Sequence, residues 1–173
     1  MTLNTHYLSD PRFKALLAVA RLDKPVGTLL LLWPTLAALW IAADGWPGWH
    51  LLLVFVLGTF LTRSAGCVIN DIADRKFDLF VERTKDRPLA TGLITVRAAL
   101  VWMSLLLSLA ALLVLTTNAA TIALAAVGAC FAGAYPFMKR VTNLPQLVLG
   151  LAFSMGIPMA FTAVAGSLSE AAG

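Results

Sequence analysis

Five stretches of this chain are apolar for about as long as a helix needs to cross the hydrocarbon of a bilayer, roughly 17–25 residues. They run from Val26 to Ala43, Leu51 to about Ile69, Ala98 to Thr117, Ala119 to Met138, and Leu144 to about Ala165. Lipid offers a backbone no hydrogen-bond partners, so each stretch must satisfy its own N–H and C=O groups and is predicted to be a helix. None shows the two-residue alternation of a membrane barrel. The expected fold is all-α, a polytopic transmembrane bundle with five transmembrane helices over residues 26–173, preceded by a basic, amphipathic segment over residues 1–25. Composition points the same way. The chain is 60% hydrophobic and 13% charged, whereas a soluble domain is about half apolar and a quarter charged. An ordinary water-soluble enzyme is therefore a poor fit.

The net charge of +4 would suggest nucleic acid in a soluble protein, but its distribution points elsewhere. With a cytoplasmic amino terminus, all 13 Lys and Arg fall on the cytoplasmic side or at that membrane edge. The opposite side keeps Asp44, His50 and Glu170. That split is the pattern of positive charge retained on the inner side of a membrane. The aromatic residues lie within the apolar runs and are not interleaved with the basic ones, so no nucleic-acid partner is expected. No small-residue cleavage site clearly follows the first apolar run, so the segment is expected to be retained as a signal-anchor. Cys67 and Cys130 fall in apolar stretches and are expected to be reduced and buried. Gly150 and Gly156 are expected at close helix contacts and Pro158 at a kink. His6 is expected at the solvent or interface.

The connections between the apolar runs are short except for a polar stretch from Asn70 to Arg97, and such a stretch is where function concentrates. It opens with Asn70-Asp-Ile-Ala-Asp-Arg-Lys-Phe-Asp78. Asn70, Asp74 and Asp78 recur every four residues and share one helix face, which Asp71 joins. Carboxylates that close repel, and nearby lipid makes their charge costlier. Oxygen donors without His or Cys suit a hard cation, Mg²⁺ foremost, which favours one or two carboxylates together with substrate phosphate oxygens. Cations surround the motif: Arg63 lies two helical turns before Asn70 on the same face, and Arg83, Lys85 and Arg87 follow. Arg21, Lys24, Lys139 and Arg140 end other helices on that side. Together these groups fit a site for a diphosphate. Arg75, Lys76, Lys85 and Arg97 read best as solvated charges of the cytoplasmic edge. Two other classes fit the same pattern: a transporter of divalent cations or phosphometabolites, and a non-catalytic membrane fragment with packing roles only.

The 70–78 motif resembles the first aspartate-rich motif of the UbiA-type intramembrane prenyltransferases. Three further stretches are similar to one branch of that family, the bacterial 4-hydroxybenzoate polyprenyltransferases: Arg21-Leu-Asp-Lys-Pro-Val-Gly-Thr-Leu-Leu-Leu-Leu-Trp-Pro34, Arg83-Thr-Lys-Asp-Arg-Pro-Leu89, and Tyr135-Pro-Phe-Met-Lys-Arg140 with Leu144-Pro-Gln146. The resemblance runs from about Arg21 to Ala165. It implies a nine-helix fold in the bacterial inner membrane and transfer of a polyprenyl group from polyprenyl diphosphate to a ring carbon of 4-hydroxybenzoate, an early step of ubiquinone synthesis. It implies that Asn70, Asp74 and Asp78 hold Mg²⁺ against the diphosphate. Asp71, Asp74 and Asp78 become the catalytic candidates, with Arg83, Arg87 and Arg140 binding substrate. Arg63 is the candidate partner of the acceptor carboxylate. Related reactions on the same scaffold, on naphthoate or haem acceptors, remain alternatives. The family carries a second aspartate-rich motif that is absent from these residues. The chain is therefore expected to be the amino-terminal part of the fold, with little or no activity alone.

Overall fold

The computed structural model describes residues 10–138 and 140–171. His6, with the rest of residues 1–9, Lys139, and residues 172 and 173 lie outside the described residues, as does the side chain of Glu170. The described residues form seven helices: α1 Pro11–Val19, α2 Val26–Ala42, α3 Trp49–Asp78, α4 Val96–Val114, α5 Ala119–Met138, α6 Pro145–Ser154 and α7 Gly156–Ala171. No strand occurs among them. By length and composition, four segments can cross a membrane: Trp49–Asp78, Val96–Val114, Ala119–Met138 and Pro145–Gly166. The remaining apolar helix, Val26–Ala42, has 17 residues and carries Pro34 within it. It sits at the lower limit of spanning length, so length and composition support four spans where the sequence suggested five.

The last apolar run divides into α6 and α7 at Met155. Pro158 explains the break, because a proline ring clashes with the carbonyl four residues before it, here Ser154, and leaves that carbonyl without its N–H partner. Gly156 begins the second half and close-packs on α2, where an added Cβ would lie 3.3 Å from Thr35 Cβ. Gly150, expected at a similar contact, has open space around it. Cys67 is buried, but Cys130 is exposed on α5. In a membrane helix an apolar position can face lipid, so hydrophobicity alone could not place it.

α3 organises the bundle. Its 30 residues extend about 45 Å at 1.5 Å per residue, against a hydrocarbon core of about 30 Å. It packs on α4 above all, and also on α2, α5, α7 and α1. Two apolar cores flank it. One joins Ala38 and Leu39 of α2, Leu51, Val54 and Phe55 of α3, and Ala160, Ala163 and Val164 of α7. The other joins Ala15 and Val19 of α1, Ala65 and Val68 of α3, Leu89 and Ile94 of the following loop, and Ala99 and Leu106 of α4. The amino-terminal segment is thus more than a basic tail. From Pro11 it is a helix, started by Asp10, whose Oδ1 accepts from Arg12 N at 2.8 Å, and its apolar face closes the second core.

Opposite the 70–97 stretch, the turn between α2 and α3 stacks aromatics edge to face. Trp46 lies 5.8 Å from Trp40 and 4.9 Å from Trp49 between ring centroids. At that end His50 Nε2 and Thr116 Oγ1 hydrogen-bond at 2.8 Å. Indole rings of this kind suit a membrane–water interface. Asn118 secures the neighbouring corner. Its Oδ1 accepts from Thr121 N at 3.0 Å and from Thr121 Oγ1 at 3.1 Å, and its Nδ2 donates to Thr162 O at 2.7 Å. It therefore caps α5 and ties it to α7. Asn118→Ala is expected to cost about 1–2 kcal/mol, as lost caps do, and to lower the thermal unfolding midpoint of the detergent-solubilised protein. An unchanged midpoint would dismiss the tie.

Candidate functional site

The acidic motif forms the last turns of α3, beyond the length needed to cross the hydrocarbon. Helix periodicity places its polar residues on one side, as the spacing predicts. Their surroundings then differ. Asp71 and Asp78 are buried, with Asp71 only 1% exposed, while Asn70 and Asp74 are half-buried. A buried carboxylate needs a partner, and Asp71 has two. Arg21 Nη2 donates to its Oδ1 at 2.9 Å and lies 3.3 Å from Oδ2. Arg87 Nη1 lies 3.0 Å from Oδ1. The same Arg87 nitrogen donates to Asp78 Oδ2 at 2.9 Å. One guanidinium thus bridges two carboxylates of the motif, a full helical turn or more apart.

Each partner arrives by a defined local structure. Arg21 follows α1 and has φ of 56°, a left-handed conformation that costs a non-glycine residue about 1–2 kcal/mol. Its N–H donates to Ala18 O at 3.1 Å, and that of Leu22 to Leu17 O at 3.1 Å, so the residue closes the helix end while its side chain reaches Asp71. Arg87 belongs to the loop between α3 and α4. Thr84, buried in that loop, donates its hydroxyl to Asp78 O at 3.1 Å, and Gly92 turns the chain at φ of 75°. Thr95 caps α4, its Oγ1 accepting from Ala98 N at 3.2 Å. Leu89 and Ile94 anchor the loop in the core.

Two other predicted residues come to α3 differently. Arg140 Nη2 donates to Ala73 O at 3.0 Å, and its Cζ lies 5.4 Å from the Phe77 ring centroid. The structure therefore brings it to the motif from the end of α5. Arg63 lies seven residues before Asn70, about 10 Å along the helix, and is not part of the Asp71–Arg87 cluster. Its Nη1 donates to Cys67 Sγ, and its buried Nε has no hydrogen-bond partner. Gly27 of α2 makes room for it, since a Cβ there would lie 2.7 Å from Arg63 Nη2 and 3.3 Å from Cζ. Arg83 and Lys85 are exposed, Lys85 paired with Glu82 at 2.6 Å.

Oxygen-only donors at the end of α3 fit a hard cation in kind. In position the fit is uneven. Among the described residues no three His, Cys, Asp or Glu side chains stand close enough to hold a metal as a group. Asp71 is taken by guanidiniums, and Asp78 shares one of them. The pairing of Asp71 with Arg21 and Arg87, and the seat of Arg63 on Gly27, could not be read from spacing, because the partners lie 50, 16 and 36 residues apart. The proline-rich resemblance stretches that contain Arg21 and Arg87 were the available signal.

The sequence profile of the UbiA prenyltransferase family matches residues 31–173. A 4-hydroxybenzoate octaprenyltransferase from a Polaromonas species is 60% identical over 148 residues, covering 86% of this chain and 52% of the relative. One from Psychromonas ingrahamii is 59% identical over 163 residues, covering 94% and 57%. The chain spans about half the length of the curated relatives it matches. Among solved structures, the apo structure of a UbiA homolog from Aeropyrum pernix K1 superposes with a TM-score of 0.74 at 22% identity, covering 83% of this chain and 52% of that one. This likeness concerns the fold. By its sequence and its helical architecture, the chain belongs to the UbiA prenyltransferase family.

Proposed function

We propose that the protein carrying this chain transfers a polyprenyl group from its diphosphate to a ring carbon of 4-hydroxybenzoate, a step of ubiquinone synthesis in the bacterial inner membrane. Residues 26–173 contribute part of one transmembrane domain, with the amino terminus cytoplasmic. The observation that carries the reading is the identity of 56–60% to relatives named 4-hydroxybenzoate octaprenyltransferase. The polar end of α3 supports it, since carboxylates and guanidiniums gather where a lipid diphosphate would place its head group.

Asn70, Asp74 and Asp78 are the residues that would hold Mg²⁺. Bound there, the ion would neutralise charge on the leaving diphosphate. Arg87 and Arg140 stand beside this face and would bind diphosphate oxygens by charge-assisted hydrogen bonds. As the allylic C–O bond breaks, the electron pair leaves with the diphosphate and the prenyl carbon becomes cationic. The phenol ring attacks that carbon through the position ortho to its hydroxyl, then loses the ring proton. Apolar helices around the site keep water from capturing the cation. Arg63, within the apolar length of α3 and with a buried, unpaired Nε, is proposed to take the carboxylate of 4-hydroxybenzoate. An ionisable residue within a membrane-spanning segment most often serves a ligand.

The test uses the natural gene product that carries this chain, in membranes of a host lacking its own hydroxybenzoate prenyltransferase. Radiolabelled 4-hydroxybenzoate and a polyprenyl diphosphate should give a lipid-soluble product. EDTA should abolish it and Mg²⁺ restore it. Asp74→Ala should lower kcat/KM by at least about 100-fold, the scale of losing a group that stabilises transition-state charge. Product formation indifferent to EDTA and to Asp74→Ala would overturn the site. Recovery of 4-hydroxybenzoate unchanged, with label moved across the membrane, would favour a transporter.

Arg63→Ala should raise the acceptor KM by about tenfold or more, the scale of a lost charged hydrogen bond, and leave the donor KM nearly unchanged. Gly27→Ala, which crowds the guanidinium without removing it, should move the acceptor KM in the same direction. A selective rise in the donor KM in both variants would assign Arg63 to the diphosphate instead.

A further inference from the structure

Asp71 differs from the other carboxylates of its motif in pairing with two guanidiniums from separate elements. At 1% exposure, it holds Arg21 Nη2 at 2.9 Å and Arg87 Nη1 at 3.0 Å on the same oxygen, Oδ1. A metal at that carboxylate would meet two positive groups at ion-pair distance. The two arginines come from separate elements, the turn after α1 and the loop between α3 and α4, and among the described residues Asp71 alone pairs with both. Each guanidinium carries five N–H donors. Among the described residues the guanidinium hydrogen bonds of Arg21 use Nη2 alone, and those of Arg87 use Nη1 alone. Their side chains remain 29% and 21% exposed. Both therefore keep an open edge at the polar end of α3.

We infer that Asp71 is a positioning residue and not a metal ligand: it fixes Arg21 and Arg87 as a pair whose open edges bind the diphosphate of the donor. The identity of that anion rests on the proposed function. The paired arrangement does not. Two guanidiniums brought together without a carboxylate between them would repel. Asp71 cancels that repulsion and sets their orientation, as a buried ion pair can.

Charge alone and positioning make opposite demands on Asp71→Asn. Removing a negative charge beside an anion site should tighten anion binding if only charge matters. If Asp71 positions the arginines, binding should weaken. The experiment measures the affinity of the detergent-purified natural gene product for inorganic pyrophosphate in EDTA, by calorimetry. Asp71→Asn is expected to weaken it about tenfold, the scale of losing one charge-assisted contact. Combining it with Arg87→Gln should weaken it little beyond Arg87→Gln alone, because the two act as a unit. In turnover, the donor KM should rise while the half-saturating Mg²⁺ concentration stays fixed.

Unchanged or tighter pyrophosphate binding would overturn the inference. So would a raised Mg²⁺ requirement at constant donor KM. Should Asp71→Asn fail to accumulate as folded protein, Arg21→Lys serves instead: it keeps the charge but loses the planar fork. It should weaken pyrophosphate binding, and wild-type affinity there would equally overturn the inference. A protein that binds pyrophosphate in this pattern but never prenylates 4-hydroxybenzoate would sink the proposed function and leave the role of Asp71 standing.

Discussion

The ion pairs of Asp71 hold together three parts of the chain that apolar packing alone would leave free to slide. α1 and the turn after it meet the bundle through Ala15, Val19 and Ala20, with Leu16 and Leu22 packed alongside, and apolar contacts of this kind carry no direction. The loop between α3 and α4 is anchored by Leu89 and Ile94 but carries exposed charge on either side. One buried carboxylate, 2.9 Å from Arg21 and 3.0 Å from Arg87, supplies direction to both. Removing one partner of such a buried pair typically costs about 3–5 kcal/mol, because the other charge is left without compensation. The left-handed backbone at Arg21 fits that picture. A non-glycine residue stays at φ of 56° only where its surroundings over-determine it.

Much of this architecture was legible in the sequence, because lipid enforces simple rules. Helices were the only choice for the apolar runs, and four of them are long enough to cross. The four-residue spacing of Asn70, Asp74 and Asp78 put them on one face, and the structure extends α3 through all three. The kink expected at Pro158 appears as a break at Met155 between α6 and α7. Residues 1–25 read as amphipathic, but which of their apolar side chains face the bundle was not legible: Ala15, Val19 and Ala20 are buried. The run from Ala15 to Ala20 is apolar at every position, so its spacing does not single out a face.

What was not legible is who pairs with whom. Spacing along one helix orders side chains within that helix, but it carries no information on which guanidinium arrives from elsewhere. The motif read as three carboxylates awaiting a cation. In the structure two of them already share Arg87. Likewise Arg63 was visible as a charge within an apolar run, but its seat was not. Only the close approach of α2 shows that Gly27 leaves the space its guanidinium fills. Both cases have one cause: a long side chain takes its meaning from the element opposite, and that element lies tens of residues away.

The placement of charge along α3 bears on which class of chemistry the helix can serve. A transporter needs its polar groups near the bilayer midplane, where its two access states meet. A prenyl donor is different, because it is a lipid whose charged head stays at the interface while its tail remains in hydrocarbon. α3 is graded in the way such a molecule is. From Trp49 it runs through Leu51, Val54 and Phe55, then meets one charge at Arg63, and only beyond about 30 Å reaches the polar face from Asn70 to Asp78. A head group at that face would leave its first isoprene units beside the depth of Arg63. There an aromatic acid held by its carboxylate could lie against the allylic carbon. On the proposed function, the length of one helix sets the distance between the two substrates' charged ends, and the reacting carbons meet between them.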